Sequence, residues 1–107
     1  MTVVLTALIA VIITVHDLGD ARWKTVRPYN EKLERMAYCE TKQGGHSRWF
    51  LNSGNGYYGG LQFDLSTWRS VGGRGYPHKN SKLEQKFRAV KLIKRRGYGP
   101  WPNCGSA

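Results

Sequence analysis

The sequence predicts an α+β, mainly helical fold: one small domain of helices with a short β-hairpin between them. Three observations predict it. Apolar residues recur at helical spacing over 30–40, 65–71 and 81–96. Asn55-Gly56, inside the glycine-rich stretch SGNGYYGGLQF, tolerates the positive φ that a type I′ hairpin turn requires. A chain of 107 residues, 40% hydrophobic and 12% aromatic, builds one modest core.

The elements follow in order. TVVLTALIAVIITV is an almost unbroken apolar run, followed by polar HDLGD. It is shorter than the ~20 residues that span a bilayer and matches the apolar region of a signal peptide, roughly 7 to 15 residues. Residues 1–21 therefore read as a signal peptide, with small Gly19 and Ala21 before the cut. Because Arg22, Lys24, Arg27 and Lys32 follow the run and no basic residue precedes it, a membrane anchor or a buried apolar helix is the alternative. Residues 22–29 read as a linker and 30–107 as the domain.

In YNEKLERMAYCE, Asn30 stands as N-cap and Glu31 in the first turn, after a Pro28 that discourages an earlier start. Leu33, Met36 and Ala37 mark the inner face, and the same spacing brings Glu40 onto that stripe. A carboxyl set among apolar groups keeps its proton to higher pH, as a general acid must. The plain alternative is a helix-end glutamate turned to solvent or paired with Lys or Arg.

TKQGGHSRWFLN breaks this helix at Gly44-Gly45, and bends follow at Asn55-Gly56 and Gly59-Gly60. A hairpin accounts for the glycines but not for Trp49, Tyr57, Tyr58 and Gln62 beside them. Asp64 or Ser66 caps a short helix containing Leu65, Trp68 and Val71, stopped by Gly72-Gly73. Ser81 and Glu84, at capping-box spacing, open a longer one. Leu83, Phe87, Val90 and Ile93 line its inner face; Lys82, Lys86, Arg88, Lys91, Lys94, Arg95 and Arg96 form the cationic remainder. Gly97 ends it, and YGPWPNC returns the chain toward Cys39.

Seventeen Lys and Arg against seven Asp and Glu give a net charge of +10, which attracts polyanions: nucleic acid, an anionic membrane face, or a bacterial wall carrying phosphates and carboxylates. His16, His46 and His78 have no ligand-like spacing, and no phosphate loop is present, so neither metal nor cofactor is expected. Cys39 and Cys104 are the only cysteines. In an exported chain they close one bridge worth about 4 kcal/mol by loop entropy; in a cytosolic one they are two buried thiols.

CET at 39–41, NSGNGYYGGLQF at 52–63, STW at 66–68, GG and GY within 72–76, and GYGPWPNC at 97–104 occur in this order. Together they resemble the catalytic domain of the resuscitation-promoting factors, an actinobacterial and phage-associated family with a small lysozyme-like fold. The match runs from about Leu33 to Cys104. It implies a muralytic enzyme cleaving the β-1,4 bond between N-acetylmuramic acid and N-acetylglucosamine. Glu40 falls on the family's catalytic glutamate, Thr67 on its active-site threonine, and Cys39 with Cys104 on its disulfide. Trp49, Asn52, Tyr57, Tyr58 and Gln62 fall on cleft motifs, which makes the opening glycine-rich stretch a wall for pyranose rings.

The chain departs from the family in two places. Eight residues separate Glu40 from Trp49 where the family usually has four, and Arg96 precedes GYGPWP where the family usually has glutamine, so a polar substrate contact becomes cationic. A two-carboxylate hydrolase needs a second acid. Asp64 is the only one beside the cleft motif, and it reads equally as a helix cap. One carboxyl suffices if the muramic C6 hydroxyl is the nucleophile, the reaction of a lytic transglycosylase.

The expected partners are peptidoglycan glycan strands and anionic cell-wall polymers, with no specific nucleic acid, for a monomer secreted or anchored on the outer face of the membrane. A phage-encoded protein acting on a host wall is equally compatible. The alternative function is a non-catalytic peptidoglycan-binding or signalling protein using the same cleft; nucleic-acid binding rests on composition alone.

Overall fold

The structure, a computed structural model, describes residues 18–107. The apolar run, and with it most of the signal-or-anchor expectation, lies outside the described residues. The chain is helical over 18–26, and a 3-10 turn follows at Arg27–Tyr29. The stretch 22–29, expected as a linker, thus has regular structure, and Val26 is fully buried in the core. Among the described residues no helix is long and apolar enough to cross a membrane.

Beyond the helical stretch 18–26, the described residues form three further α-helices: α1 (Asn30–Thr41), α2 (Leu65–Ser70) and α3 (Lys82–Arg96). α1 buries Leu33, Met36 and Ala37 as its periodicity requires. Its N-cap is Tyr29, without a side-chain cap, and not Asn30; the Asn30 Oδ1 instead accepts from the Lys86 ammonium at 2.6 Å. α2 is capped by Asp64 and α3 by Ser81, whose hydroxyl accepts from the Glu84 N–H at 3.0 Å. Glu84 does not complete the box; its carboxylate bridges Arg22 and Arg88 at 2.6 and 2.7 Å.

The expected hairpin is not a pair of strands. Among the described residues only isolated bridges occur, Gln43 with His46, Asn52 with Tyr58, and Tyr58 with Phe63. The chain does reverse around Asn55-Gly56, but Asn52 Oδ1 accepts from the Gly54 N–H and Asn55 Oδ1 from the Tyr57 N–H, both at 3.1 Å. These side-chain turns take donors that a ladder would need, so pairing stops after one residue. The second bend is tight, with Tyr58 and Phe63 exchanging both backbone bonds at 2.9 and 3.0 Å.

One core joins these pieces: Leu33, Met36 and Ala37 of α1, Trp68 of α2, Ala89, Val90, Leu92 and Ile93 of α3, and Trp49, Leu61, Phe63, Val71 and Trp101 from the loops. Phe63 sits edge-on to both Trp68 and Trp101, at 5.2 and 6.1 Å between centroids. The Cys39–Cys104 disulfide ties the end of α1 to the C-terminal turn across 65 positions.

Candidate active site

Glu40 lies in the last turn of α1. The neighbouring turn is firmly held: the Thr41 hydroxyl donates to the Ala37 carbonyl at 2.8 Å and accepts from the Arg48 N–H at 2.8 Å. The Glu40 side chain is half-buried and has no hydrogen bond or ion pair among the described residues. Burial therefore pushes its carboxyl above the ordinary glutamate value of 4.5. Although the chain carries a charge of +10, no cation among the described residues is placed to pull it back.

Tyr57, Gln62, Thr67 and Arg96 come together around one hollow, completed by Asp64, Leu92 and Trp101 and by Pro100 and Pro102. Glu40 is not among the residues lining it. The Trp101 indole N–H donates to the Leu61 carbonyl at 2.9 Å and so fixes one wall to the loop before Gln62. Gln62 has φ of 52°, the left-handed region that side chains other than glycine rarely occupy. Its amide donates to the Gly59 carbonyl at 2.9 Å, which holds this conformation and leaves the amide oxygen for other donors. Strain of this kind gathers at binding sites.

Asp64 uses both carboxylate oxygens on Thr67. One accepts from its backbone N–H at 2.8 Å, the other from its hydroxyl at 2.9 Å. Asp64 is thus the cap of α2, and the Thr67 oxygen, its proton committed, is left as an acceptor.

The remaining expected site residues lie elsewhere. Trp49 is 7% exposed; the ammonium groups of Lys82 and Lys86 sit over its ring at 5.2 and 5.3 Å, and Gly60 packs so closely that a Cβ there would lie 2.4 Å from the indole. Asn52 is exposed and closes its own turn. Tyr58 is half-buried, stacked on His78 at 5.4 Å and edge-on to Tyr76 at 5.3 Å.

Sequence reading missed Gln85. It is fully buried in α3, and its amide donates to the carbonyls of Trp49 and Asn80 at 2.9 and 3.0 Å while its oxygen accepts from the Gly60 N–H at 3.0 Å. All of its main polar capacity goes into holding the glycine-rich loop against α3. The available signal was a lone amide beside Ala89 and Val90 at inward helical spacing.

These features define a small, disulfide-closed, mainly helical domain with a half-buried unpaired acid and a hollow lined by amide, hydroxyl and aromatic groups. Residues 27–104 match the family model of the transglycosylase-like domain. The resuscitation-promoting factor Rpf of Micrococcus luteus is 51% identical over 71 residues, covering 66% of this chain and 30% of that protein. RpfE of Mycobacterium tuberculosis is 42% identical over 77 residues, 72% of this chain and 42% of the relative. Rpf1 of Corynebacterium glutamicum is 39% identical over 77 residues, 69% and 38%. The chain belongs to the transglycosylase-like family, as a domain of the resuscitation-promoting factor type. It spans between 30% and 42% of the length of these curated relatives.

Proposed function

We propose that this chain is a muralytic enzyme that cleaves the β-1,4 bond between N-acetylmuramic acid and N-acetylglucosamine as a lytic transglycosylase, with Glu40 as both acid and base. The observation that carries the reading is an asymmetry between two carboxyls. Glu40 is half-buried, unpaired and shifted toward its protonated form, whereas both oxygens of Asp64 are taken up by Thr67.

In this mechanism Glu40 protonates the glycosidic oxygen and the N-acetylglucosamine leaves as its C4 alcohol. The carboxylate then takes the proton of the muramic C6 hydroxyl, whose oxygen closes on C1 to give a 1,6-anhydro ring, and Glu40 is protonated again. No water is consumed. Thr67 accepts a hydrogen bond from the sugar, Gln62 and Arg96 supply polar contacts in the hollow, and Tyr57 offers an exposed aromatic face. The substrate is the glycan strand, and the basic surface attracts the anionic polymers around it.

Mass spectrometry of products from purified peptidoglycan tests this directly. Anhydro-muramyl ends, absent with Glu40→Gln, are expected. Reducing ends would replace the mechanism with hydrolysis. Binding to peptidoglycan without any soluble product would make the chain a wall-binding protein.

A further inference from the structure

A second hollow of the described residues is larger than the one around Gln62 and Thr67. This open groove of about 760 Å³ lies on the outer side of α1, lined by Arg35, Tyr38, Lys42, His46, Trp49 and Lys82 among others. At 3.6 residues per turn, Tyr38 and Lys42 lie on the side of α1 away from Leu33, Met36 and Glu40. Lys42 and His46 belong to the eight residues between Glu40 and Trp49, the segment that lengthens this chain against its family pattern. The segment is well tied. Gln43 N–H donates to the His46 carbonyl at 3.4 Å, Arg48 N–H to the Thr41 hydroxyl at 2.8 Å, and the Arg48 guanidinium to the Gln43 side chain.

Charge says what this hollow takes. Its one acidic side chain, Glu34, is already shared by Lys82 and Lys86 at 2.8 and 2.6 Å. Arg35 and Lys42 have no acidic partner among the described residues. Between the cations stands an exposed Tyr38 with the Lys42 ammonium 5.6 Å over its ring, beside an almost fully buried Trp49. The Trp49 indole N–H is itself buried with no acceptor among the described residues, whereas those of Trp68 and Trp101 are bonded. Carboxylates spaced along a chain with apolar side chains match the pattern of cations and rings.

We propose that this hollow is a second binding site that takes a carboxylate-bearing peptide, with Arg35 and Lys42 receiving carboxylates and the exposed Tyr38 ring an apolar group between them. That this peptide is the acidic stem carried by the glycan strand rests on the function proposed above; the chemistry of the site does not.

The test is NMR titration of the ¹⁵N-labelled full chain with a synthetic alanyl-γ-glutamyl-lysyl-alanine peptide, as free acid and fully amidated. Expected are shifts of the Trp49 indole N–H and the Tyr38 and Lys42 amides, and none at Gln62 or Thr67. Arg35→Glu and Lys42→Glu should each weaken binding by about tenfold, the weight of one charge-assisted hydrogen bond, and full amidation, which removes two carboxylates, by about a hundredfold, with the melting temperature unchanged. Glu40→Gln should bind as the parent does.

Equal binding of the amidated peptide, indifference to both charge reversals, shifts centred on Gln62, or binding of a polyglycerol phosphate in place of the peptide would each overturn the site. Cleavage is followed separately on peptide-free glycan strands. Peptide binding without cleavage counts against the enzymatic reading alone, and cleavage without peptide binding against this site alone.

Discussion

A carboxyl that burial drives toward its neutral form costs the fold something once it ionises. For Glu40 the folded pKa lies above the unfolded one, so its contribution to stability is complete below the unfolded pKa and is lost as pH rises through the folded value. Glu40→Gln is therefore expected to melt no lower than the parent at neutral pH while losing cleavage by at least ~100-fold. Calorimetry and product analysis on the same preparation check both halves. The kcat/KM of the parent should fall as pH rises through the Glu40 pKa, because the first step needs its proton. Asp64→Asn keeps a side chain able to cap α2 and should retain most activity, whereas Asp64→Ala removes the cap at a cost of about 1 kcal/mol and frees the Thr67 hydroxyl. An Asp64→Asn variant that is folded and as inactive as Glu40→Gln would sink the one-carboxylate mechanism.

Helix α3 shows how far partners rotate an element. Its pattern predicts Leu83, Phe87, Val90 and Ile93 inward, yet the buried residues are Gln85, Lys86, Ala89, Val90, Leu92 and Ile93, with Leu83 and Phe87 only partly covered. Lys86, expected on the cationic face, is instead buried, its ammonium bonded to Glu34 and Asn30 at 2.6 Å each and lying over Trp49. Burial by itself would raise Glu34, but the hydrogen bonds and charges of Lys82 and Lys86 together outweigh it and hold the carboxyl below its ordinary 4.5. The stability this pair adds is present above the unfolded pKa and lost as pH falls through the lower folded value, so part of the acid lability below about 4.5 belongs to Glu34. Glu34→Gln should cost about 2 kcal/mol in urea unfolding at neutral pH, between a surface pair and a buried one, and should flatten that acid limb. Gln85→Leu leaves two carbonyls and one N–H without their partner; about 3 kcal/mol is expected, with KM for glycan rising as the loop loosens.

Over the molecule as a whole, a core this small leans on its covalent tie. The Cys39–Cys104 bridge closes 65 positions, and its reduction should lower stability by about 4 kcal/mol on the loop-entropy account, a large part of what a domain of this size possesses. Denaturant unfolding with and without reductant measures it. The surface charge is also less uniform than the composition implies. Lys82 and Lys86 are engaged by Glu34 and Arg88 by Glu84, which leaves Lys91, Lys94, Arg95 and Arg96 exposed along the second half of α3, where cations also suit the helix dipole. Binding to intact walls should weaken with rising salt, and Lys91→Glu with Lys94→Glu should weaken it further while cleavage of short soluble glycans is unchanged. Salt-indifferent binding would reduce this face to a solvated helix surface.

What the sequence determined by itself is local. The ends of α2 and α3 are set by Asp64, Ser81 and Gly97 within a few bonds of the residues they cap, and the buried α1 stripe of Leu33, Met36 and Ala37, with half-buried Glu40 beyond it, follows from helical spacing alone. The hairpin failed for an equally local reason, since Asn52 and Asn55 offer turns that compete with a ladder and the sequence does not rank the two. The tertiary structure decided what depends on distant pairings. It brought Gln85 to Gly60 across 25 positions and to Trp49 across 36, Lys86 to Glu34 across 52, and both Tyr57 and Arg96 to the lining of one hollow. Periodicity gives the side of a helix that turns inward only to within about a residue. A long side chain such as Lys86 moves between solvent and core according to whether an acceptor stands opposite, and that acceptor is fixed by packing of the whole domain.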